Sequence, residues 1–203
     1  MKPLHVRDLP ILFFKNECNK IDLEKTVLDC GAGGRRPPLA LFYNDGYKTA
    51  GIEILDSQIE RATKYEKENN MKLNIIKGDM RKLPYENNSF NFVFSFHTIF
   101  HLPKKEVEKV LKEMDRVLAP GGLIFVDFPP YESLGYGIGE EVRPGEFLQM
   151  EGGEEVLHSY YTDDEADAYF ANYDIKIKRK WQLLKCDSWV DGVAMLEYIA
   201  QKK

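Results

Sequence analysis

The fold is decided by the stretch Val27-Leu28-Asp29-Cys30-Gly31-Ala32-Gly33-Gly34. An acidic residue closes a short apolar run and leads into a glycine turn, and the proline-led segment 37–42 follows as the start of a helix. Glycine is needed where the chain reverses sharply or where a ligand approaches the backbone closely. A strand, a glycine turn and a helix in this order are typical of open α/β sheets that hold nucleotide-like ligands.

A second acidic residue, Glu53, closes the next apolar run, Thr49-Ala50-Gly51-Ile52. It follows the glycine turn by about 20 residues, where such folds place a carboxylate for ribose hydroxyls. The two oxygens of a carboxylate can accept hydrogen bonds from two neighbouring hydroxyls. The turn and Glu53 together predict a site for an adenosine-containing cofactor.

Length and composition indicate one ordinary globular domain. The chain has 203 residues, 43% of them hydrophobic and 30% charged, and a net charge of −5. This size supports a sizeable core, and the acidic balance disfavours a nucleic-acid partner, since such proteins usually carry basic clusters. Three cysteines without CxxC spacing favour a reducing cytoplasm over a disulfide framework.

Targeting signals and metal sites are not expected. The N-terminus has no long apolar run of the kind found in secretory signals, and nothing approaches the ~20 apolar residues of a membrane span. The four histidines lack metal-ligand spacing. We therefore expect a cytoplasmic protein without a membrane span and without a metal.

Strand and helix signals alternate through the first two thirds of the chain, which predicts a parallel sheet covered on both faces. A capping box at Ser57-Gln58-Ile59-Glu60 is expected to begin the helix after the second strand. The five expected strands are Thr26 to Asp29, Lys48 to Glu53, Leu73 to Lys77, Phe90 to Phe96 and Leu123 to Val126. One apolar helical face is expected at Val107, Val110, Leu111, Met114, Val117 and Leu118, stopped by residues 119–122.

The pattern changes after Phe128. Residues 129–145 are rich in Gly, Pro and Tyr, and Glu146 to His158 predicts a hairpin across Gly152-Gly153. A second capping box, Thr162 to Glu165, predicts a helix. That helix is expected to place Ala166, Tyr169, Phe170 and Tyr173 on one face, and two strands, Asp174 to Leu184 and Val193 to Gln201, to close the domain.

Four stretches resemble the class I S-adenosylmethionine-dependent methyltransferases, most closely the small-molecule branch that includes ubiquinone and menaquinone biosynthesis enzymes. They are VLDCGAGG (27–34), GIEIL (51–55), GDMRKLPYENNSFNFVFS (78–95) and LKEMDRVLAPGGLIFVDF (111–128). Each stretch alone is a weak indicator of the family, but all four in this order are strongly specific for it. The sequence departs from the family at Arg35, where a third glycine is frequent, and at Asn91, where an aspartate is frequent.

The resemblance implies an α/β fold: a Rossmann-like three-layer sandwich with a seven-stranded, mostly parallel sheet, ordered 3-2-1-4-5-7-6, whose last strand is antiparallel. It also implies methyl transfer from S-adenosylmethionine to a small-molecule acceptor by direct displacement, with S-adenosylhomocysteine as the product. We expect a single domain over residues 1–203. Its parts are an N-terminal helix (1–24), a cofactor-binding core (25–128), a capping insertion (129–161) and a C-terminal helix and strands (162–203).

The resemblance assigns roles to the residues at the strand ends. It implies that Asp29 holds the methionine amino group, Glu53 the ribose and Asp79 the adenine amino group. A strand-end cap, a solvated charge and a plain turn aspartate are the respective alternatives. The full set of implied cofactor contacts is Asp29, Gly31, Ala32, Gly33, Glu53, Ile54, Asp79, Met80, Ser95 and Phe96.

Two histidines follow the fourth strand, His97 and His101, and either could take a proton near neutral pH. Both could instead be capping or packing groups, and a sulfonium is reactive enough that no base is required unless the acceptor must lose a proton. The capping insertion suggests an apolar or planar acceptor, although its aromatic residues could form a local core. Its candidate acceptor contacts are Tyr131, Tyr136, His158 and Tyr161.

Other functions are disfavoured by specific residues. A nicotinamide dehydrogenase would require the complete GxGxxG, which GAGGRR lacks. The segment 127–131 is similar to the Asp/Asn-Pro-Pro-Tyr motif of nucleic-acid base methylation, but it has an extra residue and follows the fifth strand. A non-enzymatic S-adenosylmethionine-binding sensor or structural protein remains the main alternative.

Overall fold

Strands and helices alternate along the chain. The computed structural model describes residues 8–182 and 192–203. In chain order the elements are α1 (Leu9–Cys18), β1 (Thr26–Cys30), α2 (Leu39–Tyr43), β2 (Lys48–Glu53), α3 (Asp56–Asn69), β3 (Ile75–Lys77), β4 (Phe90–Ser95), a first 3-10 helix (Ile99–His101), α4 (Lys104–Val117), β5 (Leu118–Phe128), β6 (Glu140–Arg143), β7 (Glu146–Glu151), β8 (Glu154–Ser159), a second 3-10 helix (Glu165–Phe170), β9 (Tyr173–Gln182) and β10 (Ala194–Lys202).

Seven of these strands form the central sheet, in the order β3-β2-β1-β4-β5-β10-β9. β1 pairs in parallel with β2 and β4, whereas β10 is antiparallel to both of its neighbours, β5 and β9. β9 and β10 are the sixth and seventh strands of this sheet in chain order. The predicted order 3-2-1-4-5-7-6 with an antiparallel last strand is therefore confirmed.

Each central strand contributes to two separate core layers because successive side chains point to opposite faces of a sheet. Leu28 and Val93 join one layer, and Val27 and Phe94 join the other. The first layer is covered by α4, the second by α1 and α2. Among the residues predicted for the apolar stripe of α4, Val107, Val110, Met114 and Val117 have no exposed surface.

Two predicted boundaries were wrong for local reasons. The capping box at Ser57 is not formed: α3 starts at Asp56, and no side chain caps it from Leu55. The amides of Ile54 and Leu55 bond instead to Glu53 Oε1, at 2.8 and 2.9 Å. Residues 119–122 do not separate helix from strand, because β5 begins at Leu118 and passes through them with a register shift against β4.

The C-terminal third contains a small second sheet, β6-β7-β8. The predicted hairpin across Gly152 and Gly153 is confirmed by the pairing of β7 with β8, and β6 is an additional strand. The segment after Thr162 forms a short 3-10 helix, and Tyr173 lies in β9 instead of on its face. The predicted strand end at Leu184 lies outside the described residues. No helix within residues 8–182 and 192–203 has the length and apolar character needed to cross a membrane.

The α4 layer can be tested with a matched pair of methionines. Met114 has no exposed surface, whereas Met150 is 68% exposed. We expect Met114→Ala to lower the free energy of unfolding by about 2–5 kcal/mol, because it leaves a cavity in the core. Met150→Ala should change it by less than about 0.5 kcal/mol. Urea unfolding followed by circular dichroism measures both, and similar losses in the two variants would contradict the placement of α4.

Candidate functional site

Buried polar side chains gather at one edge of the central sheet. Asp29, Glu53, Ser95 and Asp127 stand at or near the C-terminal ends of β1, β2, β4 and β5, and each is at most 9% exposed. The carboxyl ends of parallel strands meet at the edge where open α/β sheets bind ligands. Burying polar groups is costly without partners, so this cluster marks the candidate site.

The glycine turn leaves no room for side chains. A Cβ on Gly31, whose φ is +109°, would lie 2.4 Å from the Thr98 side chain. A Cβ on Gly33 would lie 2.6 Å from Glu53 Oε2. The Gly33 amide donates to that same oxygen at 3.1 Å. Both glycines therefore permit a close approach that any larger residue would prevent.

Asp29 is a buried carboxylate without a partner. It is 1% exposed, and neither of its oxygens has a hydrogen-bond donor among the described residues. Burial raises the pKa of Asp29 well above its usual range, and the nearby charge of Glu53 raises it further. Unpaired buried carboxylates are rare because they carry a desolvation penalty, so a cationic group brought to this position would be strongly favoured.

Glu53 is occupied by backbone donors. Its Oε2 accepts from the Gly33 amide, and its Oε1 accepts from the amides of Ile54 and Leu55. A carboxylate oxygen can accept more than one hydrogen bond, so these contacts leave capacity for further donors. The adjacent Ile54 and Leu55 are 51% and 55% exposed. They offer an apolar surface beside the carboxylate.

Asp79 lies in the loop after β3, where the sequence places it, but its carboxylate is paired. Arg81 donates to it through Nε at 3.0 Å and Nη2 at 2.6 Å. This side-chain bonding lowers the pKa of Asp79. The pairing matches the plain turn aspartate that the sequence left as an alternative. Met80, next to it, is partly buried against the α4 core layer.

The end of β4 brings three predicted residues to the site edge. Ser95 is fully buried, and its hydroxyl has no partner among the described residues. Phe96 packs against Phe125 and the ring of His97. The side chain of Asp127 accepts a hydrogen bond from the His97 backbone amide at 2.8 Å. The sequence reasoning treated Asp127 only as part of a strand exit, although an acid in the apolar run 123–128 is itself a signal.

His101 and His158 form part of the contact between the first 3-10 helix and β8. His101 Nδ1 lies 3.2 Å from the Leu157 carbonyl oxygen, and His158 Nδ1 lies 2.8 Å from Gln149 Oε1. Their ring centroids are 4.7 Å apart. Burial lowers the pKa of both imidazoles. This geometry favours the packing role that the sequence left open for His101.

The predicted acceptor residues are not equally accessible. Tyr136 is 39% exposed and stacks on Tyr131 with ring centroids 4.4 Å apart. Tyr161 has no exposed surface and packs on Phe128, so it is a core residue in this structure. His158 is 8% exposed. Tyr136 and Tyr131 are therefore the members of this set that the structure leaves partly open.

A family comparison matches the segment that carries this edge. Residues 28–126 match the family described as "Methyltransferase domain". Residues 28–126 are therefore a methyltransferase domain, and the sheet has the fold of the class I S-adenosylmethionine-dependent methyltransferases. The match includes the glycine turn, Glu53 and the strand ends of β4 and β5 up to residue 126.

Relatives of the chain are similar over a longer stretch. A sterol 24-C-methyltransferase of Aspergillus fumigatus is 32% identical over 163 residues, which are 70% of this chain and 43% of that protein. This chain thus spans less than half the length of that curated relative. A methyltransferase structure from Methanosarcina mazei has a TM-score of 0.72 at 22% identity. The alignment covers 91% of this chain and 95% of that one.

A ligand-bound structure has the same fold. The 1,6-didemethyltoxoflavin-N1-methyltransferase of Burkholderia thailandensis, with bound S-adenosylhomocysteine, has a TM-score of 0.69 at 14% identity. The alignment covers 97% of this chain and 78% of that one. The present chain has residues that fit the cofactor of its family: an orphaned carboxylate at Asp29 suits an ammonium group, and Gly31 and Gly33 form a cradle that a Cβ would fill.

The small sheet β6-β7-β8, here called the cap sheet, lies against the loop after β4. Glu146 Oε1 accepts from the Lys104 amide at the start of α4, at 2.8 Å. The Ser159 hydroxyl donates to the Leu102 carbonyl at 2.7 Å. These bonds fix the cap sheet beside the segment that carries His97. The described residues contain no group of three or more His, Cys, Asp or Glu side chains that could hold a metal.

Asp29→Asn tests the orphaned carboxylate. Because the folded-state pKa of Asp29 is raised above the unfolded value of about 3.9, the native state binds its proton more tightly, and stability falls as pH rises through that window. We expect the variant to unfold at a higher temperature than the wild type at pH 7 in the ligand-free state, with the gain shrinking toward pH 4. Affinity for S-adenosylhomocysteine should fall about ten- to hundredfold, since a charge-assisted bond is lost.

Differential scanning calorimetry across pH and titration calorimetry at pH 7 measure the two effects. A variant that is less stable than the wild type at pH 7 and binds S-adenosylhomocysteine equally well would contradict both the burial cost and the ligand role of Asp29.

Proposed function

We propose that this chain transfers a methyl group from S-adenosylmethionine to an apolar small-molecule acceptor bound between the strand ends and the cap sheet. The observation that carries the proposal is the buried, unpartnered carboxylate of Asp29 beside the glycine turn. In a family that uses S-adenosylmethionine, this carboxylate has a natural partner in the amino group of the methionine moiety.

The other cofactor contacts follow from the same edge. Glu53, fixed by the Gly33 amide, would accept from the ribose hydroxyls, and the exposed side chain of Ile54 would pack on the adenine. Met80 and the residues of the turn would complete the nucleoside side. The hydroxyl of Ser95 and the ring of Phe96 stand where the methionine end would lie.

When bound, S-adenosylmethionine supplies a methyl carbon on a strongly activated sulfonium. The chain's own residues then have to align the acceptor and exclude water. Partly buried aromatic faces near the end of β4 can stabilise positive charge. Catalysis can then depend mainly on the positioning of the acceptor.

An aromatic series leads from the strand ends to the surface of the cap sheet. His97 contacts Phe100 with centroids 6.4 Å apart, and Phe100 contacts His158 at 6.0 Å. Tyr160 lies 6.3 Å from His158 and 5.6 Å from Tyr136. His158 and Tyr160 are buried, so a bound molecule would meet the partly exposed Phe100 and Tyr136, whose aromatic faces suit an apolar or planar molecule better than a charged one.

The acceptor class is therefore apolar. Leu134, Ile138 and Met150, around and within the cap sheet, are each more than half exposed, which adds apolar surface at its rim. The curated relatives are sterol C-methyltransferases by name, so a sterol is the first acceptor to test. A quinone precursor, implied by the sequence resemblance, is the second. A non-enzymatic role remains the alternative and predicts binding without turnover.

We further infer a cytoplasmic location and a single domain with the predicted division at residues 24, 128 and 161. The location is supported by Cys18 and Cys30, which are buried free thiols. Cys186 lies outside the described residues. No nucleic-acid partner is proposed, since the net charge of the chain is −5.

Cofactor binding can be measured with Glu53→Gln. The glutamine amide has one acceptor oxygen, whereas Glu53 uses both oxygens, one toward Gly33 and one toward Ile54 and Leu55. We expect the wild type to bind S-adenosylmethionine and S-adenosylhomocysteine but not NADH, and the variant to bind about ten- to hundredfold more weakly. Titration calorimetry gives these affinities.

Glu60→Gln is the matched control, since Glu60 is an exposed residue of α3. It should bind like the wild type. Binding of NADH alone would overturn the assignment of the cofactor, and full affinity in Glu53→Gln would remove Glu53 from the ribose site.

The acceptor can be found with labelled S-adenosylmethionine. Incubation of the purified chain with cell extract, separated into lipid and aqueous fractions, should place the labelled methyl group in the lipid fraction. Mass spectrometry of that fraction identifies the product, and purified sterols and quinone precursors then serve as separate arms. Label in the aqueous fraction alone would contradict an apolar acceptor, and cofactor binding with no label in either fraction would favour the non-enzymatic role.

A further inference from the structure

We infer that Asp127 is a positioning residue that holds His97 as the proton acceptor for methyl transfer to an acceptor that carries hydrogen on the attacked atom. The inference rests on the proposed function and names the base and its partner. Asp127 belongs to β5 and His97 to the loop after β4, so the pair spans two neighbouring strands at the site edge.

Two contacts join the pair. The backbone amide of His97 donates to Asp127 Oδ1 at 2.8 Å, and Nδ1 of the His97 ring lies 3.2 Å from Asp127 Oδ2. The contact with the backbone is a hydrogen bond, and the contact with the ring is a close approach to an oxygen that has no hydrogen-bond partner among the described residues. Asp127 has no exposed surface, whereas the His97 side chain is 30% exposed toward the edge where ligands bind.

The acidic residue that faces Asp127 across the sheet is already paired with other side chains. This residue is Glu197 on β10, which is 1% exposed and is paired with Arg179 at 2.5 Å and with the Trp181 indole. Burial raises the pKa of Asp127 well above its usual range and the charge of Glu197 raises it further, while the hydrogen bond from the His97 amide acts in the opposite direction. Since Glu197 has its own partners, the contacts that compensate Asp127 come from His97.

The backbone of His97 is held in an unusual conformation. Its φ is +51°, and the other non-glycine residues of the described chain with positive φ are Asn70, Asn74 and Asn88. Asparagine tolerates the left-handed region, but for other residues it costs roughly 1–2 kcal/mol. Strain of this kind persists where the surroundings impose it and is concentrated at functional sites. Here the hydrogen bond from the His97 amide to Asp127 is the contact that holds the positive φ.

The pair determines which ring nitrogen can accept a proton. A proton on Nδ1, beside the Asp127 carboxylate, would leave the lone pair of the neutral ring on Nε2. The proton that the acceptor loses would form a bond to that lone pair, and the electron pair of the broken bond would stay with the acceptor as it becomes methylated. The imidazolium, stabilised by Asp127, then returns the proton to water.

Asp127→Asn separates this role from a purely structural one. The amide oxygen can still accept from the His97 backbone, but the amide nitrogen then faces Nδ1 as a donor and forces the proton to Nε2. We expect kcat to fall about 10²–10⁴-fold with KM changed less than about threefold. Incorporation of labelled methyl into the lipid fraction measures turnover.

The ring tautomer provides a readout independent of activity. In the free protein, with histidines labelled with ¹⁵N, long-range proton–nitrogen spectra should show His97 protonated at Nδ1 in the wild type and at Nε2 in Asp127→Asn. The matched control is Asp115→Asn, a carboxylate near the opposite end of β5 that accepts from the Tyr173 hydroxyl at 2.6 Å. It should leave both the tautomer and kcat unchanged.

His97→Asn is a second variant that does not depend on the stability of Asp127→Asn. Asparagine suits the positive φ, so this variant should be at least as stable as the wild type while losing turnover about 10²–10⁴-fold. An unchanged tautomer or kcat in Asp127→Asn, or full turnover in His97→Asn, would overturn the inference. These outcomes differ from failure of the proposed function, which would appear in the wild type itself as no binding of S-adenosylhomocysteine or as no incorporation of labelled methyl.

Discussion

The bonds of the Glu53 carboxylate are the contacts on which the site edge depends. One oxygen accepts from the glycine turn that follows β1, and the other from the two amides that lead into α3. The same side chain thus joins the first strand–turn–helix unit to the second. Because Gly33 must approach this carboxylate within contact distance, the turn tolerates no Cβ at that position. The shape of the cradle is therefore a consequence of where β2 ends.

The electrostatics of the edge follow a simple division. Glu53 and Asp127 have backbone donors, whereas Asp29 has none among the described residues. A buried charge that the protein leaves unpaired costs stability, and a site retains it where a ligand completes it. Asp29 is thus best suited to recognising a cation, while Glu53 and Asp127 are suited to holding other parts of the chain in place.

Much of the fold was readable from the sequence because local patterns and global topology agree. The alternation of apolar runs and the four family stretches predicted the sheet order, including the antiparallel last strand. Boundaries were less accurate where a tertiary contact replaced a local signal. Ser57 is not a cap because α3 already begins at Asp56, with the amides of Gln58 and Ile59 bonded to the Leu55 carbonyl. Leu118 left the helix because β5 pairs with β4 from that residue onward.

The site, like the fold, has parts that the sequence predicts and parts that depend on tertiary contacts. The positions of the glycine turn, Asp29 and Glu53 at the strand ends follow from the sequence, whereas the absence of a partner for Asp29 among the described residues is seen only in the structure. The partnership of His97 with Asp127 joins residues 30 positions apart, and the pairing of Asp79 with Arg81 is a choice of rotamer. Neither is encoded in a periodic pattern. The burial of Tyr161 likewise depends on packing against Phe128, which residue type alone could not distinguish from contact with an acceptor.

The bond from the Lys104 amide to Glu146 gives the cap sheet a second role. The residue before α4 is Pro103, whose side chain cannot accept a hydrogen bond, so the first turn of the helix borrows its cap from β7. Losing a helix cap costs typically about 1 kcal/mol. Any movement that lifts β7 away from this helix therefore frays its first turn as well. The cap sheet and the first turn of α4 are thus stabilised together by one hydrogen bond.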